Sequence, residues 1–217
     1  MEKVTFTPLQ ESLFETITQH PFLPKSFYFT GGTALSAVYL HHRESEDLDF
    51  FSETDFDNEP ILEIIKNIAS SLSTTYRFTI RHHSRIIELV QKDKLLIKID
   101  FVYHPYKRLE KGPAIKGFPV DSLLDIAANK LLTVNQRNEI KDFVDLYFLL
   151  KKFTVWDLLY AVKAKYNMEI DIILVASDFL KIEDFDFLPK MIIPLTLDQL
   201  KVFFKKQAKE LGKRSVE

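Results

Sequence analysis

The chain has 217 residues, 46% of them apolar, with a formal charge of −2 and no cysteine. That length and apolar content bury a sizeable core and suit one domain, or a domain with a helical appendage, which excludes a disordered chain. The lack of cysteine removes a disulfide framework, a thiol nucleophile and a thiolate zinc site. The N-terminus lacks a signal peptide's apolar core and no uncharged run reaches membrane-spanning length, so a cytoplasmic protein is expected.

In chain order, Thr7-Pro8-Leu9-Gln10 has capping-box form with proline at the first helical position, which starts a helix reaching about His20. Pro21 and Pro24 end it. Residues 26–30 are aromatic-rich and read as a short strand, Gly31-Gly32 as a sharp turn, and Thr33 to His41 as a helix. Asp47-Leu48-Asp49-Phe50-Phe51 reads as a second strand, and Glu59-Pro60 opens a helix through about Ser71. Residues 76–81 and 85–90 read as a hairpin, and 94–103 alternates as a half-buried strand. These make five strands in a mixed sheet that finishes before residue 110, followed by a loop over 107–117.

Beyond that loop the pattern is wholly helical. Asp121 or Ser122 caps a helix with an apolar stripe through Leu123, Ile126, Leu131 and Val134, and helical spacing recurs at 155–166, 169–180 and 197–211. Breaks fall at Asn167 and around Pro189 and Pro194. The expected architecture is α+β, with residues 1–117 a core of sheet and helices and residues 118–217 a helical region.

The chemistry concentrates around the glycines. A strand, a paired-glycine turn and a helix place free N–H groups and the positive helix end where a phosphate is stabilised, which nominates Gly31, Gly32 and Thr33. Asp47 and Asp49 are two apart and project from one face of a strand, which suits a hard cation such as Mg²⁺. Asp100 lies on the face of its strand opposite Leu95, Ile97, Ile99 and Phe101, and is the candidate third carboxylate. If its strand adjoins that of Asp47 and Asp49, the three like charges need a cation to offset their repulsion. Taken singly, Gly-Gly is an ordinary turn and Asp-x-Asp an ordinary strand end; the order of the parts makes them specific.

That order resembles the nucleotidyltransferase superfamily that includes DNA polymerase β and the CCA-adding enzymes. Within it, Gly31-Gly32-Thr33-Ala34-Leu35, Tyr39-Leu40-His41-His42-Arg43, Ser45 and Asp47-Leu48-Asp49-Phe50-Phe51 resemble the AbiEii family of abortive-infection toxins. The resemblance extends over about residues 25–150, through Asp125-Ile126-Ala127-Ala128-Asn129-Lys130-Leu131, Arg137 and the run from Lys141-Asp142 to Leu150. It implies a phosphate-side turn at Gly31, Gly32 and Thr33, metal ligands at Asp47, Asp49 and Asp100, and later functional positions at Lys130 and Asp142. Asn129 departs from the small or apolar residue expected there.

The implied reaction moves a nucleoside monophosphate from a nucleoside triphosphate to a hydroxyl acceptor. Two Mg²⁺ ions serve the carboxylates, and Lys130 neutralises the leaving pyrophosphate. The same resemblance implies a toxin component, an antitoxin partner and transfer to tRNA 3′ ends. Read from its own helix, Lys130 either reaches a triphosphate or lays its stem over apolar surface with its ammonium in water. Asp142 and Asp145 share one helix face near Lys141 and Arg137, which is also the pattern of an exposed charged face. Lys201, Lys205, Lys206, Lys209, Lys213 and Arg214 form a basic end that meets RNA phosphates or is simply a solvated helix face. The pairs His41-His42 and His82-His83 read as partly exposed. Two other classes stay open: a nucleotide-binding protein without transfer activity, and a protein that docks a partner.

Overall fold

The computed structural model describes residues 5–214. The chain divides into two compact units: the described part of Met1–Tyr39 with Ser45–Ser122, and Leu40–Glu44 with the described part of Leu123–Glu217. The short segment Leu40–Glu44 joins the helical unit although the sheet-forming sequence lies on both sides of it. No composition shift marks that excursion.

In the first unit, α1 (Pro8–Thr18) starts at the expected capping box: Gln10 N donates to Thr7 Oγ1 (3.2 Å) and Thr7 N to Gln10 Oε1 (3.0 Å). The Gln10 amide nitrogen also donates to the carbonyls of Ser45 (2.7 Å) and Glu46 (3.1 Å), so the cap residue anchors the chain just ahead of Asp47. A one-turn helix α2 (Leu23–Ser26) takes Pro24 into its first turn, where the missing N–H is harmless. It shortens the strand expected over 26–30 to β1 (Tyr28–Thr30). Helix α3 (Gly31–Ala34) follows and continues as a π-helical stretch over Leu35–Leu40.

The remaining strands are β2 (Leu48–Ser52), β3 (Thr75–Arg81), β4 (Ser84–Gln91) and β5 (Lys94–Tyr103), with α4 (Glu59–Ser71) between β2 and β3. They form one mixed sheet in the order β1-β2-β5-β4-β3, in which β2 and β5 are the parallel pair and the other pairings are antiparallel. Parallel pairing needs a long crossover, which α4 and the β3–β4 hairpin supply. The packed face of β2 and β5 carries Leu48, Phe50, Ile97, Ile99 and Phe101, all buried. Phe50 is at the centre, within ring contact of Phe14, Phe29, Phe101 and Phe118.

The stretch expected to be loop contains β6 (Ala114–Ile115), which pairs with β7 (Phe118–Pro119) in a second, two-stranded sheet. The next helix starts at Leu123, which puts Ser122, the second of the two expected cap residues, directly before it, while Asp121 reaches back to the first strand. Thr30 Oγ1 donates to its carboxylate (2.8 Å), Tyr39 Oη to its carbonyl (2.7 Å), and its own N–H to the carbonyl of Phe29 (2.8 Å), so it secures the end of β1.

The second unit contains α5 (Leu123–Gln136), α6 (Ile140–Leu149), α7 (Val155–Tyr166), α8 (Ile172–Leu180), a 3₁₀ turn (Lys181–Asp184) and α9 (Leu197–Arg214). Helix α8 starts later than expected because Asp171 caps it, accepting from Ile173 N (2.7 Å). Asn167 ends α7 in the left-handed region at φ 52°, a conformation Asn tolerates. Phe204 packs edge-on against Phe143 and Phe179 in the core. No helix among the described residues is long and apolar enough to cross a membrane.

Removing the central ring of the first unit opens a cavity its neighbours fill only in part. Phe50→Ala is expected to destabilise the protein by about 3–5 kcal/mol in urea unfolding, while the core-edge change Val90→Ala is expected to do less.

Candidate active site

The glycine turn and the carboxylates are coupled sterically. Gly31 sits at φ +75°, which side chains resist, and a Cβ built on it meets Asp49 Oδ2 at 2.1 Å. Backbone and carboxylate therefore approach closely only because position 31 is glycine. The helix begins at Gly31 itself, so the free N–H groups start at the glycines and not beyond them. The π-helical stretch that follows is an uncommon form that recurs at functional sites.

Thr33 is buried, and its hydroxyl lies against Ser45 Oγ (2.9 Å) and donates to the Asp47 carbonyl. The hydroxyl is engaged in holding the chain at Asp47. Asp47 precedes β2, whose first residue is Leu48, and Asp49 lies within the strand. The parallel register sets Asp49 opposite Asp100 and Phe50 opposite Phe101, so the two carboxylates share one sheet face and the rings the other.

Lys98, two residues before Asp100 and on the same face, places its ammonium 2.6 Å from Asp100 Oδ2. Burial pushes the Asp100 carboxyl above its ordinary value; Lys98 opposes this, while Asp47 and Glu88 add to it. Burial alone would lower Lys98, but Asp100 with Asp47 and Asp49 outweighs it and keeps the ammonium charged. Asp100 Oδ1 is buried and meets no hydrogen-bond donor among the described residues. Such an orphaned carboxylate oxygen, beside Asp49 and in the field of Asp47, suits a hard cation. Among the described residues, however, no three His, Cys, Asp or Glu side chains stand close enough to hold one ion. The backbone brings the three aspartates to one region, and Lys98 draws the Asp100 carboxylate to itself.

Lys130, Asp142 and Asp145 meet in the second unit. The Lys130 ammonium is 2.7 Å from Asp142 Oδ1 and 2.6 Å from Asp145 Oδ2. Arg137 Nε donates to Asp142 (2.8 Å), and Arg43 makes a two-point contact with Asp145 through Nε (2.6 Å) and Nη2 (2.9 Å). Both carboxylates are fully buried, so the exposed-face reading of Asp142 and Asp145 fails, and Lys130 neither snorkels nor stands alone. Burial would raise both aspartates; Lys130, with Arg137 at Asp142 and Arg43 at Asp145, overrides it and holds both below the usual carboxylate range, Asp145 well below.

His42, expected to be partly exposed, is fully buried with Nε2 2.7 Å from Asp145 Oδ1. Burial lowers its pKa, so the neutral ring donates from Nε2 and Nδ1 is left without a partner among the described residues. The carbonyl of His42 accepts from the N–H groups of Ile192 (2.9 Å) and Ile193 (3.0 Å), and Glu44 N donates to the carbonyl of Lys190 (2.9 Å). These bonds fix Leu40–Glu44 within the helical unit. Sequence reasoning passed over His42, Arg43 and Lys98 as functional positions. Only Lys98 left a signal, its place on the Asp100 face of an alternating strand.

The model of the family described as the nucleotidyl transferase AbiEii toxin of a type IV toxin–antitoxin system matches residues 13–214. An uncharacterized protein of Aquifex aeolicus (strain VF5) is 33% identical over 197 residues, covering 85% of this chain and 87% of that one. The crystal structure of JHP933 from Helicobacter pylori aligns with a TM-score of 0.56 at 22% identity over 97% of both chains. MenT4, a nucleotidyltransferase toxin from Mycobacterium tuberculosis H37Rv, aligns with a TM-score of 0.58 at 18% identity, covering 94% of this chain and 82% of that one. At those identities the two structures attest the fold.

Two outcomes are expected from this geometry. Lys130→Met leaves two buried carboxylates short of a cation and is expected to destabilise the protein by about 3–5 kcal/mol at neutral pH in chemical unfolding. Because both aspartates titrate below their unfolded value, the cluster's contribution is present at neutral pH and is lost as pH falls through their folded values. The difference between parent and variant is therefore expected to shrink below about pH 4. Gly31→Ala forces the Asp49 carboxylate away from the turn and is expected to lower the melting temperature by several degrees in a thermal scan, about 1–3 kcal/mol of strain.

Proposed function

The chain belongs to the AbiEii nucleotidyltransferase toxin family of type IV toxin–antitoxin systems, and from that premise we propose that the sheet face around Gly31, Asp47, Asp49 and Asp100 is its transfer site. The observation that carries this reading is the register of Asp49 against Asp100 beside a glycine that the Asp49 carboxylate touches. The substrate is a nucleoside triphosphate and the partner an antitoxin.

Asp47, Asp49 and Asp100 would hold Mg²⁺, two ions being the number we infer, once Asp100 turns from Lys98 toward the other two, since as they stand the three do not close on one ion; the metal would neutralise phosphate charge and lower the pKa of the acceptor hydroxyl. The backbone N–H groups of Gly31, Gly32 and Thr33 orient the triphosphate, and Thr33 and Ser45 keep Asp47 in place beneath it. The acceptor oxygen forms a bond to the α-phosphorus while the bond to the β-phosphate oxygen breaks, and pyrophosphate leaves with that electron pair. The hydroxyl proton passes to Asp100 as the general base.

Lys130 and Asp142 act within the second unit. Together with Asp145 they hold Arg43 and His42, and so the segment Leu40–Glu44 whose covalent ends lead into the helix after the glycine turn and into the chain before Asp47. The acceptor we infer is an RNA 3′ hydroxyl, tRNA being the form the family likeness implies. Lys205, Lys206, Lys209 and Lys213 are exposed along α9 and supply a basic face, although Lys205 pairs with Glu183 and Lys206 lies near Glu210. The side chain of Arg214 lies outside the described residues.

Purified protein incubated with Mg²⁺, each labelled nucleoside triphosphate in turn and total bacterial RNA is expected to yield labelled RNA. Asp49→Ala is expected to reduce labelling at least about a hundredfold with an unchanged circular dichroism spectrum, because even outer-shell partners of a metal are worth 10–100-fold. Equal labelling by the variant removes the carboxylates from the reaction.

A further inference from the structure

Lys98 pairs with Asp100 from the same face of β5. A solvated lysine pairing with an exposed acid contributes little. Here the partner is the more buried group: the Asp100 side chain is 15% exposed against 34% for Lys98. The ammonium holds only one Asp100 oxygen, while the other is buried without a donor among the described residues. Asp49 is level with Asp100 on the neighbouring strand, and both Asp47 and Asp49 act on the Lys98 charge. Lys98 thus sits against Asp100 within the field of two further carboxylates.

Resting on the reading of this region as a metal-dependent transfer site, we propose that Lys98 is a positioning residue, the resident counter-ion of the carboxylates. It holds Asp100 in the absence of nucleotide and releases it when triphosphate phosphates offer the ammonium another anion. The four-carbon stem is flexible and half-exposed, so the head group can move while β5 stays fixed. An ammonium against Asp100 repels a divalent cation at the same carboxylates, so metal binds weakly alone. Metal and nucleotide arriving together remove that conflict, since the phosphates take up the displaced charge. Lys98 thereby couples the two ligands.

The test uses the full chain with Mn²⁺ alone as probe, read as loss of the free-ion signal in electron paramagnetic resonance. Lys98→Met is expected to bind Mn²⁺ at least about tenfold more tightly than the parent, the scale on which one close charge shifts an ionic equilibrium. Lys98→Arg is expected to stay near the parent. Binding of a non-hydrolysable triphosphate without metal is expected to weaken in Lys98→Met, which loss of a merely structural ion pair would not cause. Should Lys98→Met fail to fold by circular dichroism, Lys98→Gln must show the same ordering. If Asp49→Asn abolishes Mn²⁺ binding but the lysine variants bind as the parent does or more weakly, the counter-ion role is overturned and the metal site stands. If neither parent nor variants retain Mn²⁺ at millimolar concentration, both are overturned.

Discussion

The pairing of β2 with β5 fixes everything the first unit offers chemically. Their register is parallel, with Leu48 opposite Ile99, Asp49 opposite Asp100 and Phe50 opposite Phe101. Side chains alternate along a strand, so a slip of β2 by one residue would turn Asp49 into the core and Phe50 out. The burial of Phe50 among four other rings makes that slip prohibitive. The position of the acids is therefore set by the hydrophobic face behind them, and their mutual repulsion is carried by packing energy drawn from the whole layer. Gly31 adds the remaining constraint, since its missing Cβ admits Asp49 to the turn.

The second unit solves a different electrostatic problem. Burying Asp142 and Asp145 without partners would be strongly unfavourable, and each instead meets two cationic side chains: Lys130 and Arg137, and Lys130 and Arg43. Replacing such a cluster by apolar residues is often neutral or stabilising, so its presence is weak grounds for a stability role. What it does fix is geometry, because a two-point arginine contact and a buried histidine donor leave Leu40–Glu44 one arrangement. The segment lies in sequence between the glycine turn and Asp47.

Elements with a local cause were legible in the sequence. The α1 capping box, the start of α4 at Glu59-Pro60, the β3–β4 hairpin and the alternation along β5 each follow from spacing within about a dozen residues. The glycine turn and the aspartates were legible as an ordered set, and the likeness to AbiEii toxins rested on them. What stayed hidden depends on partners distant in the chain. Nothing near His42 announces Asp145, and nothing near Asp121 announces Thr30, so a buried histidine read as a surface one and the tie from Asp121 to β1 went unread. Lys130 posed the same difficulty, because an edge-of-stripe lysine has the same local signature whether it snorkels, binds phosphate or is locked between two aspartates.

Lys98 and Lys130 show how one residue type serves opposite ends. Both are lysines bound to aspartate at hydrogen-bond distance, and both remain charged. Lys130 is buried and contacts two carboxylates that also meet Arg137 and Arg43; removing it would leave Asp142 and Asp145 short of a cation in the interior. Lys98 has one direct partner and a half-exposed stem, and Asp100 keeps a second oxygen for another ligand. A counter-ion that must leave during a reaction has to be held by few contacts near solvent, whereas one that maintains a fold has to be held by many away from it. The two lysines fall on opposite sides of that division, and the side on which each falls follows from burial and partner number alone.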